Sequence, residues 1–279
     1  MNGRTVLITG AAGGLGTATA SALATAGARL ILTDADEIAL ATLAAQHPGA
    51  QALPLDTSSE AGMHAVMSAA RERFGGIDGY VLNAGIPGPL VPFTEMPVDA
   101  FDRVYAVNMR GVFLGLRSAF REFERLGSTG SIVITASIAS LRGSDDLIAY
   151  QATKHGVLGL LRGAAMFGGP RGIRVNAVAP GIVPTELFAA SGSGPGGSDD
   201  MARRASTTPL RRPGHPEEIA SVIRFLLSEE SSYMTGETVL VDGGAAMVST
   251  VRPSGGAGVW DTESLDRRWS NNFRRDGEQ

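Results

Sequence analysis

The sequence predicts one doubly wound α/β domain with a mostly parallel β-sheet and helices on both faces. Short apolar runs alternate with helical segments, which is the pattern of repeated strand–helix–strand units. The apolar runs lack a polar residue at every second position, as is typical of strands that are buried on both faces. A glycine-rich turn, residues 10–16, separates the first strand from the first helix. One sheet that runs through residues 1–244 accounts for all three features.

The first half of the chain predicts four strands with three helices between them. Each strand is a short apolar run that ends at a polar residue, and the strands are expected at residues 5–9, 29–33, 52–55 and 80–82. The helices are expected at residues 18–26, 38–46 and 60–74. The first of these helices is rich in small residues and is closed by Gly27.

The second half repeats this scheme with longer helices. Strands are expected at residues 131–135, 173–178 and 238–241, and helices at residues 99–126, 147–167 and 216–227. Pro180 and Gly181 are expected to stop the sixth strand, and the sequence Asp-Gly-Gly at residues 242–244 to stop the seventh. We therefore expect right-handed crossovers between parallel strands throughout.

Two segments interrupt the alternation. Residues 189–200 are rich in glycine and serine, so residues 182–208 are expected to form a mobile lid over a substrate. Residues 245–279 form a C-terminal extension that contains both tryptophans, Trp260 and Trp269. Because large aromatic side chains are costly to leave in water, we expect this extension to dock on the domain or on a neighbouring subunit. A frayed terminus is the alternative.

The composition excludes several classes of protein. Hydrophobic residues make up 43% of the 279 residues and charged residues 19%, which is not the composition of a disordered chain. The net charge of −4 gives no general reason to bind nucleic acid or an anionic membrane. The absence of cysteine excludes disulfides and suits the cytoplasm, where we expect the protein to reside. No apolar run is long enough to span a bilayer, and the first strand begins too near Met1 for a signal peptide.

Three glycines in the turn, Gly10, Gly14 and Gly16, predict a site for a dinucleotide. Glycine lets the backbone approach a pyrophosphate closely, and the free amides at the helix start face the anion. Asp34 ends the next strand, where a carboxylate can accept hydrogen bonds from the adenosine ribose and would repel a 2′-phosphate. No arginine or lysine lies between Gly10 and Thr25, so NAD is favoured over NADP. The alternatives are a purely structural turn and an N-cap role for Asp34.

A second group of residues has the chemistry of proton transfer. Tyr150 and Lys154 are four residues apart in a predicted helix and share one face. Ser137 follows the fifth strand, at the edge where open α/β sheets bind ligands. A nearby ammonium group and an oxidised nicotinamide would both favour the phenolate, so Tyr150 is a candidate general acid or base. Ser137 could hold the reacting oxygen. For the pair alone, the alternative is an exposed tyrosine beside a solvated lysine.

These residues together resemble the short-chain dehydrogenase/reductase family over about residues 3–244. The resemblance is carried by residues 9–16 (TGAAGGLG), Asn83-Ala84-Gly85, Asn108, Ser137, residues 150–154 (YQATK) and Pro180-Gly181. Thr153 stands where serine is common in the family. The extension after Gly244 is a larger departure, because many members stop near that point.

The resemblance implies a role for each motif. Tyr150 would transfer the proton while Ser137 orients the substrate oxygen. Lys154 would bind the nicotinamide ribose, and Asn108 would hold a water behind Lys154. The cofactor contacts that the resemblance and the turn imply together involve Gly10, Gly14, Leu15, Gly16, Asp34, Asp56, Thr57, Asn83, Ala84, Gly85, Tyr150, Lys154, Pro180, Gly181, Val183 and Thr185. The family also implies a homotetramer in which the helices at residues 99–126 and 147–167 pair across subunits.

The main hypothesis is an NAD-dependent oxidoreductase that acts on a small, neutral secondary alcohol or ketone. Residues 86–90 and 138–147 would form largely apolar pocket walls. Residues 83–116 look most like bacterial dehydrogenases of cyclic alcohols and dihydrodiols, and also like relatives that act on sugars or 3-oxoacyl groups. The alternatives are an NADP-dependent carbonyl reductase, of the 3-oxoacyl type or another, and a non-catalytic dinucleotide-binding sensor. The four histidines show no ligand spacing, so no metal site is expected.

Overall fold

The predicted parallel sheet is present. The structure, a computed structural model, describes residues 1–144, 147–185, 205–206, 208–247 and 267. Within this part of the chain the strands are β1 (Thr5–Thr9), β2 (Arg29–Asp34), β3 (Gln51–Pro54), β4 (Gly79–Leu82), β5 (Gly130–Thr135), β6 (Ile173–Pro180) and β7 (Thr238–Val241). They form a single sheet in the order β3-β2-β1-β4-β5-β6-β7, and every neighbouring pair is parallel. The α/β fold class is therefore confirmed.

The helices follow the predicted order with two differences. They are α1 (Gly14–Thr25), α2 (Glu37–Gln46), α3 (Glu60–Phe74), α4 (Val98–Tyr105), α5 (Gly111–Leu126), α6 (Ile148–Gly168) and α7 (Pro216–Leu227). The first helix begins four residues earlier than predicted, directly in the glycine turn. The single helix expected at residues 99–126 is instead α4, a π-helical turn at Ala106–Arg110, and α5. Among the described residues, no helix is both long and apolar enough to cross a membrane.

The sheet is covered on both faces, which explains its uninterrupted apolar strands. On β1, Leu7 packs into the layer that contains α3, α5 and α6. Its neighbours Val6 and Ile8 pack into the opposite layer, against α1, α2 and α7. Both sides of each central strand are therefore buried, as the lack of polar alternation predicted.

The end of β6 corrects one prediction. We expected the strand to stop at residue 178, but it continues to Pro180, which pairs with Val241 of β7. Proline lacks an N–H donor, and at the last position of a strand this costs little. The next residue, Gly181, resumes the ladder by donating its N–H to the Val241 carbonyl at 3.0 Å.

The strand order predicts where a ligand would bind. Because β2 and β3 lie on one side of β1 while β4 to β7 lie on the other, the connections diverge between β1 and β4. Open α/β sheets bind ligands at the carboxyl ends of the strands at such a switch point. The chain forms two compact units, Met1–Ala246 and Met247–Gln279, and the whole sheet belongs to the first. Most of the predicted lid and nearly all of the extension, with Trp260 and Trp269, lie outside the described residues.

Candidate active site

The turn after β1 is built so closely that two of its positions require glycine. Gly10 has a φ of +63°, and a Cβ there would lie 2.7 Å from the Cα of Ala84. A Cβ on Gly16 would lie 2.2 Å from the carbonyl oxygen of Gly10. Gly14 begins α1, and Leu15 packs partly buried against the core layer of α1, α2 and α7. The N-cap residue is a glycine without a side chain to bind the first-turn amides, so the helix start can face an anion.

Asp34 lies beside this turn and does not cap the next helix. One of its carboxylate oxygens accepts a hydrogen bond from the N–H of Ala12 in the turn, at 2.9 Å. The N-cap of α2 is Asp36, whose carboxylate accepts the N–H groups of Ile38 at 3.1 Å and Ala39 at 2.9 Å. The alternative that Asp34 is an N-cap is therefore wrong. Its carboxylate lies against the turn after β1, and the predicted ribose contact stays a prediction.

The end of β4 is tied to the end of β1 at the switch point. The hydroxyl of Thr9 accepts the N–H of Asn83 at 3.0 Å and that of Ala84 at 3.1 Å. The side-chain amide of Asn83 donates to the carbonyl of Gly10 at 2.9 Å. Sequence reasoning found Asn83 and Ala84 through the family motif but gave no role to the Thr9 hydroxyl.

The predicted proton-transfer residues come together at the same edge of the sheet. Tyr150 and Ser137 are hydrogen-bonded through their side chains. The ammonium nitrogen of Lys154 lies 5.5 Å from the centroid of the Tyr150 ring. Both α6 residues are buried, Tyr150 with 6% of its surface exposed and Lys154 with 4%. The alternative of an exposed tyrosine beside a solvated lysine is therefore wrong.

Ser137 is fixed by the turn that it begins. Its hydroxyl accepts the N–H of Ala139 at 3.1 Å, while the hydroxyl of Ser140 accepts the N–H of Ser137 at 3.2 Å. These reciprocal bonds cap the 3₁₀ turn Ile138–Ser140 directly after β5. The hydroxyl of Ser137 is thus held at a defined place at the carboxyl edge of the sheet.

Burial shifts the two titratable groups in opposite directions. Desolvation raises the pKa of Tyr150 above its ordinary value, and the hydrogen bond with Ser137 offsets part of that rise. Desolvation lowers the pKa of Lys154 from 10.5 to about 8. The amine donates a hydrogen bond to the backbone carbonyl of Thr135 at 2.7 Å. At neutral pH the phenol of Tyr150 is therefore neutral, and the nearby amine of Lys154 is protonated.

Lys154→Met is expected to stabilise the protein while removing its activity. At neutral pH the lysine is charged in both folded and unfolded states, and burying that charge destabilises the fold. The lowering of the Lys154 pKa from 10.5 to about 8 measures how much the buried charge destabilises the folded protein. The variant also loses the hydrogen bond to Thr135, so its net gain in stability over wild type should be about 2 kcal/mol. The unfolded chain binds the extra proton between these two pKa values, so wild-type stability rises with pH across that window.

Thermal unfolding of the two proteins between about pH 6 and about pH 11 measures this effect, because that range includes both the pKa of about 8 in the folded protein and the ordinary lysine value of 10.5. The variant should have its largest advantage below about pH 8, and the advantage should shrink as the pH approaches 10.5. A variant that is less stable than wild type at every pH would contradict the burial argument.

Asn108 lies in the π-helical turn and joins three parts of the site. Its side-chain oxygen accepts the N–H of Ile86 at 2.8 Å. Its amide nitrogen donates to the Ile86 carbonyl at 2.9 Å and to the Thr153 hydroxyl at 3.2 Å. Thr153 in turn donates to the carbonyl of Tyr150 at 2.8 Å. The threonine that departs from the family pattern thus connects Asn108 to the helix that contains Tyr150 and Lys154.

Gly85 separates Asn108 from Lys154. A Cβ on Gly85 would lie 3.4 Å from the Asn108 side-chain oxygen and 3.6 Å from the Lys154 nitrogen. Both polar atoms therefore face the same bare stretch of backbone. This arrangement is compatible with the predicted water between them, which stays a prediction.

The remaining predicted cofactor residues follow β3 or β6 at this same edge of the sheet. Asp56 is exposed and accepts hydrogen bonds from Ser58 and Arg103, and both lower the pKa of its carboxyl. The others are Thr57, which is buried, Pro180 and Gly181 at the end of β6, Val183, which packs in the core, and Thr185. Among the described residues, no three histidine, aspartate or glutamate side chains could together hold a metal ion.

The site fits a nicotinamide dinucleotide on structural grounds. A Cβ on Gly10 or Gly16 would clash with backbone atoms of Ala84 or of the turn itself, so both glycines are required for this tight turn. The turn leads directly into the start of α1, where the uncapped amides could bind a pyrophosphate. The Asp34 carboxylate would be available to an adenosine ribose, and the Lys154 amine to the ribose at the other end of the dinucleotide.

Comparison with known proteins agrees with this geometry. A family model described as enoyl-(acyl carrier protein) reductase matches residues 10–246. Levodione reductase of Leifsonia aquatica is 41% identical over 252 residues, which cover 86% of this chain and 93% of that protein. Cis-4-hydroxycyclohexanecarboxylate dehydrogenase of Sinomonas cyclohexanicum is 39% identical over 249 residues, with coverages of 88% and 97%.

A solved structure is equally similar. The crystal structure of levodione reductase matches with a TM-score of 0.82 at 38% identity, covering 89% of this chain and 100% of that one. The shared fold, the site geometry and these relatives lead to one conclusion. The chain belongs to the short-chain dehydrogenase/reductase family, oxidoreductases that transfer hydride between a nicotinamide dinucleotide and an alcohol or ketone.

Proposed function

We propose that this chain is an NAD-dependent oxidoreductase of a small, neutral secondary alcohol and its ketone. The observation that carries the proposal is the buried Tyr150, hydrogen-bonded to Ser137 and 5.5 Å from the Lys154 nitrogen, beside the turn that fits a dinucleotide. A non-catalytic sensor could use the Lys154 amine to bind the ribose, but it would have no need of a buried Tyr150 hydroxyl beside Ser137. A proton-transfer site accounts for all three side chains.

In the proposed mechanism, Tyr150 moves the proton and the other residues position it. When bound, the nicotinamide ring exchanges hydride with the substrate carbon. The Tyr150 hydroxyl gives its proton to the substrate oxygen during ketone reduction and takes it back during alcohol oxidation. Ser137 holds that oxygen beside the phenol. Lys154 keeps one N–H on the Thr135 carbonyl, so two further N–H groups can bind ribose hydroxyls.

The preference for NAD rests on Asp34. Its carboxylate is bound to the N–H of Ala12 in the turn, so it cannot easily move away from the ribose position. A 2′-phosphate would bring a second negative charge against it. Residues 11–25 contain no arginine or lysine that could neutralise such a phosphate.

A neutral and apolar substrate is supported by the described residues that flank the site. Ile86, Ile138 and Leu141 are apolar, and about half of Leu141 is exposed. Arg142, the cation that follows them, donates a hydrogen bond to the Ala245 carbonyl. One relative named above is a dehydrogenase of a hydroxycyclohexanecarboxylate, which supports the cyclic alcohol although that molecule also carries a carboxylate. We therefore propose a cyclic secondary alcohol or ketone as the substrate class.

An assay with both cofactors tests the proposal. With cyclohexanol as the probe, formation of reduced cofactor should be at least about tenfold more efficient with NAD than with NADP, because the like charges repel. Asp34→Ala should bring the ratio of the efficiency with NAD to that with NADP closer to one. Asp36→Ala is the matched control, because it removes a carboxylate two residues away that only caps α2. It should cost about 1 kcal/mol of stability and leave the ratio unchanged.

Three results would contradict parts of the proposal. An unchanged NAD/NADP ratio in Asp34→Ala would refute the argument from ribose and carboxylate. Turnover confined to NADPH and a 3-oxoacyl thioester would favour the carbonyl reductase alternative. Binding of NAD without turnover of any alcohol or ketone would favour the sensor.

We also propose that the subunits assemble through α5 and α6 into a homotetramer. A groove of about 710 Å³ lies between the two helices, and its lining includes Phe113, Phe120 and Phe167. Phe113 and Phe167 are about half exposed, and Met166 is 80% exposed. Apolar surface of this kind is typical of a subunit contact. Neither Tyr150 nor Lys154 lines this groove, although α6 contains both.

A further inference from the structure

The last residue of β5, Thr135, touches both functional parts of the site. Its hydroxyl donates a hydrogen bond to the side-chain oxygen of Asn83 at 3.1 Å. The Asn83 amide nitrogen then donates to the carbonyl of Gly10 at 2.9 Å. One buried threonine side chain is therefore linked, across the end of β4, to the glycine turn after β1.

The backbone of the same residue holds the catalytic amine. The carbonyl of Thr135 accepts the hydrogen bond from Lys154 at 2.7 Å. Among the described residues, no carboxylate forms an ion pair with Lys154, and burial is the one cause that shifts its pKa. The position of the ammonium group therefore depends on this carbonyl more than on any charged partner.

The Gly10 peptide, which Asn83 links to Thr135, is tightly packed. The Gly10 carbonyl that Asn83 binds is the atom closest to the missing Cβ of Gly16, at 2.2 Å. Gly10 is also in close contact with Ala84, next to Asn83. If Asn83 turned away, this peptide would lose its hydrogen bond in a turn that has no space to rearrange.

We propose that Thr135 is a positioning residue that couples the dinucleotide-binding turn to Lys154. Its hydroxyl fixes Asn83, and through it the Gly10 peptide, while its carbonyl fixes the amine. Loss of the hydroxyl leaves a buried amide oxygen without its partner, so Asn83 and the end of β5 readjust together. This inference rests on the proposed function, since it assigns Thr135 a part in the reaction of that site.

Because Lys154 has few titratable neighbours, the pH dependence of kcat can report a change in its position. Tyr150 is the titratable side chain that the structure places beside it, on the same helix. The groups that face it from the other described elements are uncharged: the Thr135 carbonyl from β5, Gly85 after β4 and Asn108 from the π-helical turn. A shift in the pH profile therefore reports the amine and the phenol.

Two variants of Thr135 test the proposal. Thr135→Val keeps the β-branched shape that suits a strand and removes the hydroxyl. Thr135→Ser keeps the hydroxyl and removes the methyl group. For Thr135→Val we expect NADH, titrated by its fluorescence, to bind about tenfold more weakly, which is the effect of one lost hydrogen bond. We also expect the pH at half-maximal kcat to move by about half a unit or more. Thr135→Ser should stay within about twofold of wild type in both measurements.

The outcomes separate this proposal from the proposed function. If Thr135→Val lowers the melting temperature but leaves NADH binding and the pH profile unchanged, Thr135 is only structural and the proposal is overturned. If both variants lose binding equally, the hydroxyl that Thr135→Ser keeps is not what supports binding, and the proposal is again overturned. A wild-type protein that binds NADH but turns over no alcohol or ketone contradicts the proposed function, while the binding comparison still tests Thr135.

Discussion

Tyr150→Phe is expected to lower turnover of a secondary alcohol by about 10²- to 10⁴-fold, the range of general acid–base catalysis. The ring is buried and stays in place, because phenylalanine differs only by the hydroxyl. That hydroxyl is the group hydrogen-bonded to Ser137, where the substrate oxygen would lie. NADH binding should remain within about twofold of wild type, because the aromatic ring stays in place and the Lys154 amine that would bind the ribose is unchanged.

A second buried tyrosine provides the control for this result. Tyr80 is 1% exposed and packs edge-to-face on Phe123 with ring centroids 5.6 Å apart. Its buried hydroxyl has no hydrogen-bond partner among the described residues. Tyr80→Phe removes the same group from the same kind of environment and should leave both turnover and stability close to wild type. If Tyr150→Phe behaves like Tyr80→Phe in steady-state kinetics, Tyr150 is not the proton donor.

The strands and the candidate residues could be predicted because their signals are local. An apolar run such as residues 5–9 identifies a strand without knowledge of its neighbours. The spacing of Tyr150 and Lys154 places both on one face of any helix that contains them. The structure brings this pair to Ser137 because both belong to the connection that follows β5: Ser137 begins the turn after the strand, and the pair lies near the start of α6.

Features that depend on tertiary contacts were not predicted. The π-helical turn at Ala106–Arg110 directs Asn108 toward Ile86 and Thr153, and nothing in residues 99–126 marks the interruption. The bond from Thr135 to Asn83 exists because β4 and β5 are neighbours, which no local pattern reveals. One signal could have been used: Thr9 and Thr135 are polar residues at the carboxyl ends of apolar strands, where a buried hydroxyl needs a partner.

Gly16→Ala is expected to weaken NADH binding by at least about tenfold, because the turn has to shift and would lose one or more of its hydrogen bonds to the cofactor. The added Cβ would lie 2.2 Å from the Gly10 carbonyl oxygen and 2.6 Å from that of Ala11. Both contacts are with backbone, so no flexible side chain can move aside. The turn has to open, and the hydrogen bond from Asn83 to Gly10 would be strained with it.

Gly13→Ala in the same turn is the matched control. Its φ of −72° suits alanine, and its Cβ would meet only the Gly10 carbonyl, at 3.8 Å. Both substitutions reduce the freedom of the unfolded chain to the same extent, so that effect cancels in the comparison. Fluorescence titration with NADH should therefore separate the two variants by at least about tenfold, and thermal unfolding should show Gly16→Ala as the less stable. Equal binding by both variants would mean that the close approach of Gly16 to Gly10 does not shape the dinucleotide site.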